Sequence, residues 1–98
     1  MDKATVLTRL RQHADELKAQ GVLHLRLHGS VARGQGTEDS DVDLIAEFDR
    51  SRNYSLLDRV ALKRRLSEIL EVSVDLALEG ALKEAVRLKA AREAVLAF

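Results

Sequence analysis

Two short segments carry the residue types best suited to chemistry: Gly29-Ser30-Val31-Ala32-Arg33-Gly34 and Ser40-Asp41-Val42-Asp43-Leu44. In the first segment, Gly29 lacks the Cβ that would keep a phosphate away from the backbone. Ser30 offers a hydroxyl and a backbone N–H at the start of a helical turn, where the helix dipole favours anions. Arg33 either faces the same phosphates or a partner, or is an ordinary solvated arginine. The first segment is therefore predicted to bind phosphate.

The second segment places two carboxylates on one face of a strand. Residues i and i+2 of a strand project to the same side, so Asp41 and Asp43 point together. Asp75 lies within another apolar strand pattern, Val74-Asp75-Leu76, on the face opposite the core residues. If the two strands are neighbours, three carboxylates converge. The alternative is that each acid is a plain solvent-side strand residue.

Carboxylate oxygens are the ligands that Mg²⁺ prefers, and Mg²⁺ commonly keeps water or substrate phosphate in its shell. Two such ions about 3.5–4 Å apart can stabilise both the attacking and the leaving oxygen of a displacement. One of the acids, Asp75 or a member of the Asp41 and Asp43 pair, can also accept the proton of an attacking hydroxyl. Beside a phosphate-binding turn, this set predicts an enzyme of phosphoryl or nucleotidyl transfer.

Composition narrows the class of protein further. The 98 residues predict one domain, 1–98. Sixteen basic and sixteen acidic residues give a formal net charge of zero, so strong direct binding to nucleic acid is not expected. The chain has no cysteine, which excludes a disulfide framework or a thiolate nucleophile and fits the cytoplasm. No apolar run reaches membrane-spanning length, so no membrane association is predicted.

Periodicity predicts the elements that position these residues. The first predicted helix is 3–20, which ends at Gly21, and a short helical turn runs from Ser30 to Arg33. A third helix begins at a capping box of Ser55 and Asp58 and ends near Leu70, and a fourth covers 81–92. The predicted strands are 22–28, 41–48 and 72–78, with 95–98 either a last short strand, which we favour, or the end of the helix; residues 35–40 form a loop. In the first strand, Leu23, Leu25 and Leu27 are predicted to face the core. This order predicts an α+β fold.

With these residues identified, the chain resembles a minimal nucleotidyltransferase of the polymerase-beta superfamily. The superfamily signature reads glycine-serine, then Ala-Arg-Gly, then Ser-Asp-x-Asp-Leu, and both segments match it; the third carboxylate matches Asp75. The chain departs from many relatives at His28, where they have an aromatic residue, and at Glu71-Val72-Ser73, where they have a glycine. The resemblance implies a nucleotidyltransferase-like mixed β-sheet of three to four strands with helices packed on it.

Within the superfamily, the chain resembles in its small size the antitoxin branch that is paired with HEPN ribonuclease toxins. This resemblance implies Mg²⁺-dependent transfer of AMP from ATP to a tyrosine hydroxyl of a HEPN-type toxin, which would form a hetero-oligomer with the chain. It implies catalytic and metal-binding roles for Asp41, Asp43 and Asp75. It also implies nucleotide- and phosphate-binding roles for Gly29, Ser30 and Arg33.

Two alternatives belong to other classes. The chain could be a non-catalytic antitoxin or binding module that neutralises its partner by complex formation alone. It could instead transfer a nucleotide to a small molecule, although related enzymes of that kind generally carry an extra substrate-binding domain, for which 98 residues leave little room.

Overall fold

Helices and strands alternate in the computed structural model, which describes residues 1–37 and 40–98. The helices are α1 (Lys3–Gln12), α2 (Ala14–Ala19), α3 (Gly29–Ala32), α4 (Leu56–Leu70) and α5 (Glu84–Glu93), with a short 3-10 helix at Glu79–Ala81. The strands are β1 (Val22–His28), β2 (Val42–Phe48), β3 (Val74–Leu78) and β4 (Val95–Leu96). The α+β prediction is therefore confirmed. Glu38 and Asp39, in the predicted loop 35–40, lie outside the described residues.

The described strands form one mixed sheet in the order β3-β2-β1-β4. Strand β1 pairs with β2 and with β4 in antiparallel fashion, whereas β2 and β3 are parallel. A parallel pair needs a crossover connection, and α4 provides it between β2 and β3. Because both strands therefore start at the same end of the sheet, residues near their first positions become neighbours.

One face of the sheet carries the main core. Helix α4 contributes a stripe at helical spacing, Leu62, Leu66, Ile69 and Leu70, and α1 and α2 add Val6, Leu7, Leu10 and Leu17, all buried. The predicted capping box fixes the start of α4, because Ser55 Oγ accepts from the Asp58 amide at 3.3 Å and Asp58 Oδ2 accepts from the Ser55 amide at 2.9 Å. The crossover helix is thus held at both its start and its apolar face.

The first helix is shorter than predicted, because it is interrupted at His13. The ring Nδ1 of His13 lies 2.9 Å from the Arg9 carbonyl oxygen, the atom that the His13 amide would bond in a continuous helix. The His13 amide instead bonds the Leu10 carbonyl at 3.1 Å. A local side-chain hydrogen bond thus replaces a backbone bond and divides the predicted helix 3–20 into α1 and α2.

The prediction that Leu23 faces the core is wrong. The β1–β2 register shifts between Val22 and His24, so Leu23 is the extra residue of a β-bulge. Its side chain is 44% exposed, whereas Val22, Leu25 and Leu27 are buried. The bulge restores the alternation toward the carboxyl end of β1, and this keeps His28 in register with Asp43.

The other face of the sheet is covered in part by α5. Ile45 is 2% exposed there and lines a small cleft together with Ala90 of α5. Helix α5 begins at Glu84 rather than 81, because residues 79–81 form the 3-10 helix, and β3 begins at Val74 rather than 72. No helix in residues 1–37 and 40–98 has both the length and the apolar character needed to cross a bilayer.

Candidate active site

Two of the predicted acids lie side by side at the start of the parallel strands. Asp43 of β2 is in register with Asp75 of β3, so their Cα atoms are separated by about one strand spacing, roughly 4.8 Å, and their side chains share a face. Asp43 is half-buried and Asp75 is exposed. Asp41 is exposed and directly precedes β2, two residues before Asp43. The structure therefore brings Asp43 and Asp75 together and places Asp41 in the segment that leads directly into β2.

Gly29 packs directly against Asp43. Its φ is +77°, a conformation that side-chain-bearing residues rarely adopt. A Cβ added at Gly29 would overlap Asp43 Oδ2 and come within 3.0 Å of its Cγ. The backbone angle therefore favours glycine at this position, and a residue with a Cβ would also displace the Asp43 carboxylate.

Ser30 follows within α3, a single helical turn. The turn is closed by the Arg33 amide, which donates to the Gly29 carbonyl at 3.2 Å, and by the Gln35 amide, which donates to the Ser30 carbonyl at 2.8 Å. The N-cap of α3 is His28, and no side chain caps it. Within the described residues the Ser30 hydroxyl has no hydrogen-bond partner. That hydroxyl is thus not used to hold the turn.

The surroundings of Asp43 disfavour its ionised form. Burial raises the pKa of Asp43 above its usual value, and the neighbouring charges of Asp75 and Asp41 raise it further. His28 and Arg33 act in the opposite direction and favour the ionised form. A carboxylate in these surroundings gains from any cation bound beside it, because the cation would offset both the burial and the repulsion.

Sequence reasoning did not identify two residues beside this cluster. His28 lies opposite Asp43 in the β1–β2 register. Glu93, at the end of α5, pairs with Arg33, with 3.4 Å between Nη1 and Oε2. These neighbours could not be found from sequence, since strand register places His28 and a separation of 60 residues hides the Glu93 contact.

The donor set suits a hard cation. In the part of the chain that the structure describes, no three histidine, aspartate or glutamate side chains are gathered closely enough to hold a metal ion. Mutual repulsion opposes such gathering among ionised carboxylates. The available donors at this edge, from Asp41, Asp43 and Asp75, are all carboxylate oxygens, and Gly29 leaves the space beside the Asp43 carboxylate that a Cβ would fill. The residues therefore fit Mg²⁺, whose shell can be completed by water and phosphate.

A mixed sheet with paired aspartates on adjacent parallel strands, beside a glycine–serine turn, defines a protein of the nucleotidyl-transferring class. Consistent with this class, a family model described as "Nucleotidyltransferase domain" matches residues 10–97. The chain belongs to this nucleotidyltransferase family. The predicted enzyme class, nucleotidyltransferase, is confirmed.

Similar proteins agree with this assignment. The chain is 36% identical over 87 residues to the protein adenylyltransferase MntA of Thermococcus cleftensis, covering 88% of this chain and 86% of that protein. A solved structure of a candidate minimal nucleotidyltransferase superposes with a TM-score of 0.82 and 38% identity, covering 97% of this chain and 95% of that one. These similarities confirm the predicted resemblance to minimal nucleotidyltransferases and the predicted fold.

A more distant similarity concerns the fold alone. A chain from the structure of a tri-AMPylated Shewanella oneidensis HEPN toxin in complex with MNT antitoxin superposes with a TM-score of 0.68 at 14% identity. The match covers 95% of this chain and 71% of that chain.

Proposed function

We propose that this chain is a Mg²⁺-dependent protein adenylyltransferase that acts as an antitoxin in the cytoplasm. It transfers AMP from ATP to a tyrosine hydroxyl of a HEPN-type ribonuclease toxin and thereby neutralises the toxin. The observation that carries the proposal is the register pairing of Asp43 with Asp75 directly beside Gly29. The Thermococcus relative, a protein adenylyltransferase, and the toxin–antitoxin fold neighbour support the choice of a protein acceptor.

Asp41, Asp43 and Asp75 would hold the metal. When bound, Mg²⁺ supplies charge neutralisation at the phosphates and at the developing oxygen charges of the transfer. Gly29 lets the backbone approach the β- and γ-phosphates. Ser30 donates its unengaged hydroxyl to a phosphate oxygen. These residues orient the α-phosphate of ATP toward the acids, so that the leaving pyrophosphate lies over the glycine–serine turn.

The acceptor approaches from the β3 side of the site. Strand β3 is an edge of the described sheet, and Asp75 on it is exposed, so a hydroxyl of a partner protein can reach its carboxylate. Asp75 accepts the hydroxyl proton as the oxygen bonds to the α-phosphorus, and the bond from that phosphorus to the bridging oxygen breaks to release pyrophosphate. No covalent enzyme intermediate is required, which agrees with the absence of cysteine.

Isothermal titration calorimetry with a non-hydrolysable ATP analogue tests the site. The wild-type chain should bind the analogue in the presence of Mg²⁺ and much more weakly in its absence, because the carboxylates repel a bare triphosphate. The double variant Asp41→Asn, Asp43→Asn should lose the Mg²⁺ dependence. Glu47→Gln is the matched control, since Glu47 lies on the same strand and face as Asp43 but at its other end.

Equal Mg²⁺-dependent binding by the wild type and the double variant would contradict the proposed roles of Asp41 and Asp43. Loss of binding in the Glu47→Gln control as well would indicate a general effect of charge on this face rather than a site.

A further inference from the structure

Glu93 makes the described contact to the Arg33 guanidinium. Its Oε2 lies 3.4 Å from Arg33 Nη1, and both side chains are partly exposed, at 37% and 44%. An exposed ion pair of this kind contributes little to folding stability. The contact is of interest because Arg33 lies close enough to Asp43 to favour its ionised form.

The backbone on both sides of this contact is fixed. Arg33 follows α3, and its amide bonds the Gly29 carbonyl. Glu93 is the last residue of α5, and two residues later Val95 pairs with Leu27 of β1. Because β1 and β4 run antiparallel, Glu93 lies at the end of β1 from which the Gly29 turn begins. Strand pairing thus places the backbones of Arg33 and Glu93 at the same end of the sheet.

The contact with Glu93 leaves most N–H donors of the Arg33 guanidinium unengaged by the described residues. Arginine has five N–H donors in a rigid planar fork. Among the described residues only Nη1 is engaged, by Glu93. The remaining edge of the fork can donate to a phosphate oxygen while Glu93 holds Nη1. Because an arginine side chain loses rotamer freedom when it binds a ligand, prior anchoring of the guanidinium favours binding.

We propose that Glu93 is a positioning residue, which holds the Arg33 guanidinium at the phosphate-binding turn so that Arg33 meets the nucleotide phosphates already oriented. The inference rests on the proposed function, because it requires nucleotide at this turn. It assigns to the last turn of α5 a role in nucleotide affinity, through Arg33 and without contact to the nucleotide.

The test is a double-mutant cycle on binding of Mg²⁺ and a non-hydrolysable ATP analogue, measured by calorimetry. Arg33→Ala should weaken binding, and Glu93→Ala should weaken it about two- to fivefold, the range expected for an exposed ion pair. In the Arg33→Ala background, Glu93→Ala should have no further effect, because its only route to the nucleotide is gone. Glu93→Gln, which keeps an oxygen acceptor for Nη1, should recover part of the loss.

Glu84→Ala is the matched control, because it removes the same charge from the other end of α5. It should leave the dissociation constant unchanged. In the transfer reaction, Glu93→Ala should raise the KM for ATP with little change in kcat. Circular dichroism of each variant establishes that α5 is retained. If Glu93→Ala does not fold, the smaller loss expected for Glu93→Gln is measured instead, and it should disappear in the Arg33→Ala background.

Tighter binding in Glu93→Ala, or losses that add fully in the double variant, would overturn the inference. A loss of affinity in Arg33→Ala but not in Glu93→Ala would also overturn the inference, and in that case the proposed function would stand. A wild-type chain that binds no nucleotide would overturn both.

Discussion

Asp43→Asn should lower the rate of AMP transfer by about 10²-fold to 10³-fold, the range typical of single groups that stabilise transition-state charge. The variant should nevertheless fold at least as stably as the wild type. Asp43 is half-buried between Asp41 and Asp75, and these surroundings disfavour its ionised form. Asparagine removes that charge while it keeps nearly the same volume. Transfer assays and thermal unfolding of the same preparation measure both effects.

The pH dependence of folding stability tests whether the charge of Asp43 is the reason that Asp43→Asn is at least as stable as the wild type. The pKa of Asp43 is raised above its usual 3.8, so the folded chain holds the proton more tightly than the unfolded chain. The contribution of Asp43 to the free energy of unfolding therefore falls as the pH rises through the interval just above 3.8, and it stays lower at neutral pH. The advantage of Asp43→Asn over the wild type should be present at pH 7 and vanish near about pH 3, where the acid is protonated in both states.

Glu47→Gln, on the same strand and face, is again the control for removing a carboxylate and should retain transfer. An Asp43→Asn variant that transfers AMP at the wild-type rate, or that unfolds well below the wild type at pH 7, would contradict this account of Asp43.

Gly29→Ala should remove activity almost as completely as Asp43→Asn. The φ of +77° strains any residue with a Cβ, at about 1–2 kcal/mol of unfolding free energy. In addition, the new methyl group would overlap Asp43 Oδ2 and force that carboxylate to rotate away. Urea unfolding and calorimetry with Mg²⁺ and the ATP analogue would measure the two consequences separately.

Gly34→Ala separates backbone strain from steric overlap. Gly34 has a similar φ, +74°, but an added Cβ there would have no atom within 4 Å. Gly34→Ala should therefore lose a similar amount of stability from strain and keep nucleotide binding. Equal losses of binding in the two variants would show that turn conformation matters and that the contact with Asp43 does not.

Local patterns in the sequence predicted most of the elements. The bounds 22–28 for β1 agree with the structure, and the Ser55 and Asp58 capping box begins α4 as expected. These features depend on residues near one another in the chain. The break at His13 and the bulge at Leu23 were missed, because each depends on a competing hydrogen bond or a register shift that periodicity does not reveal.

The site was predictable to the extent that it lies within single elements. The position of Gly29 ahead of the acids follows from the sequence. The shared face of Asp41 and Asp43 was predicted for a strand that begins at Asp41, whereas β2 begins at Val42 and Asp41 directly precedes it. The pairing of Asp43 with Asp75 was conditional on β2 and β3 being neighbours, which only the structure supplies. The contact of Arg33 with Glu93 depends on how β4 returns to β1, so no local pattern could have predicted it.

The central claim is that this chain transfers AMP onto a protein partner. Intact-mass spectrometry of a HEPN-type partner, sought first in the neighbouring open reading frame, tests it after incubation with the chain, ATP and Mg²⁺. We expect the partner to gain the mass of one or more AMP units, and we expect no gain with Asp43→Asn. A tight, neutralising complex without any mass change, formed equally well by Asp43→Asn, would contradict the claim and establish a non-catalytic binding module instead.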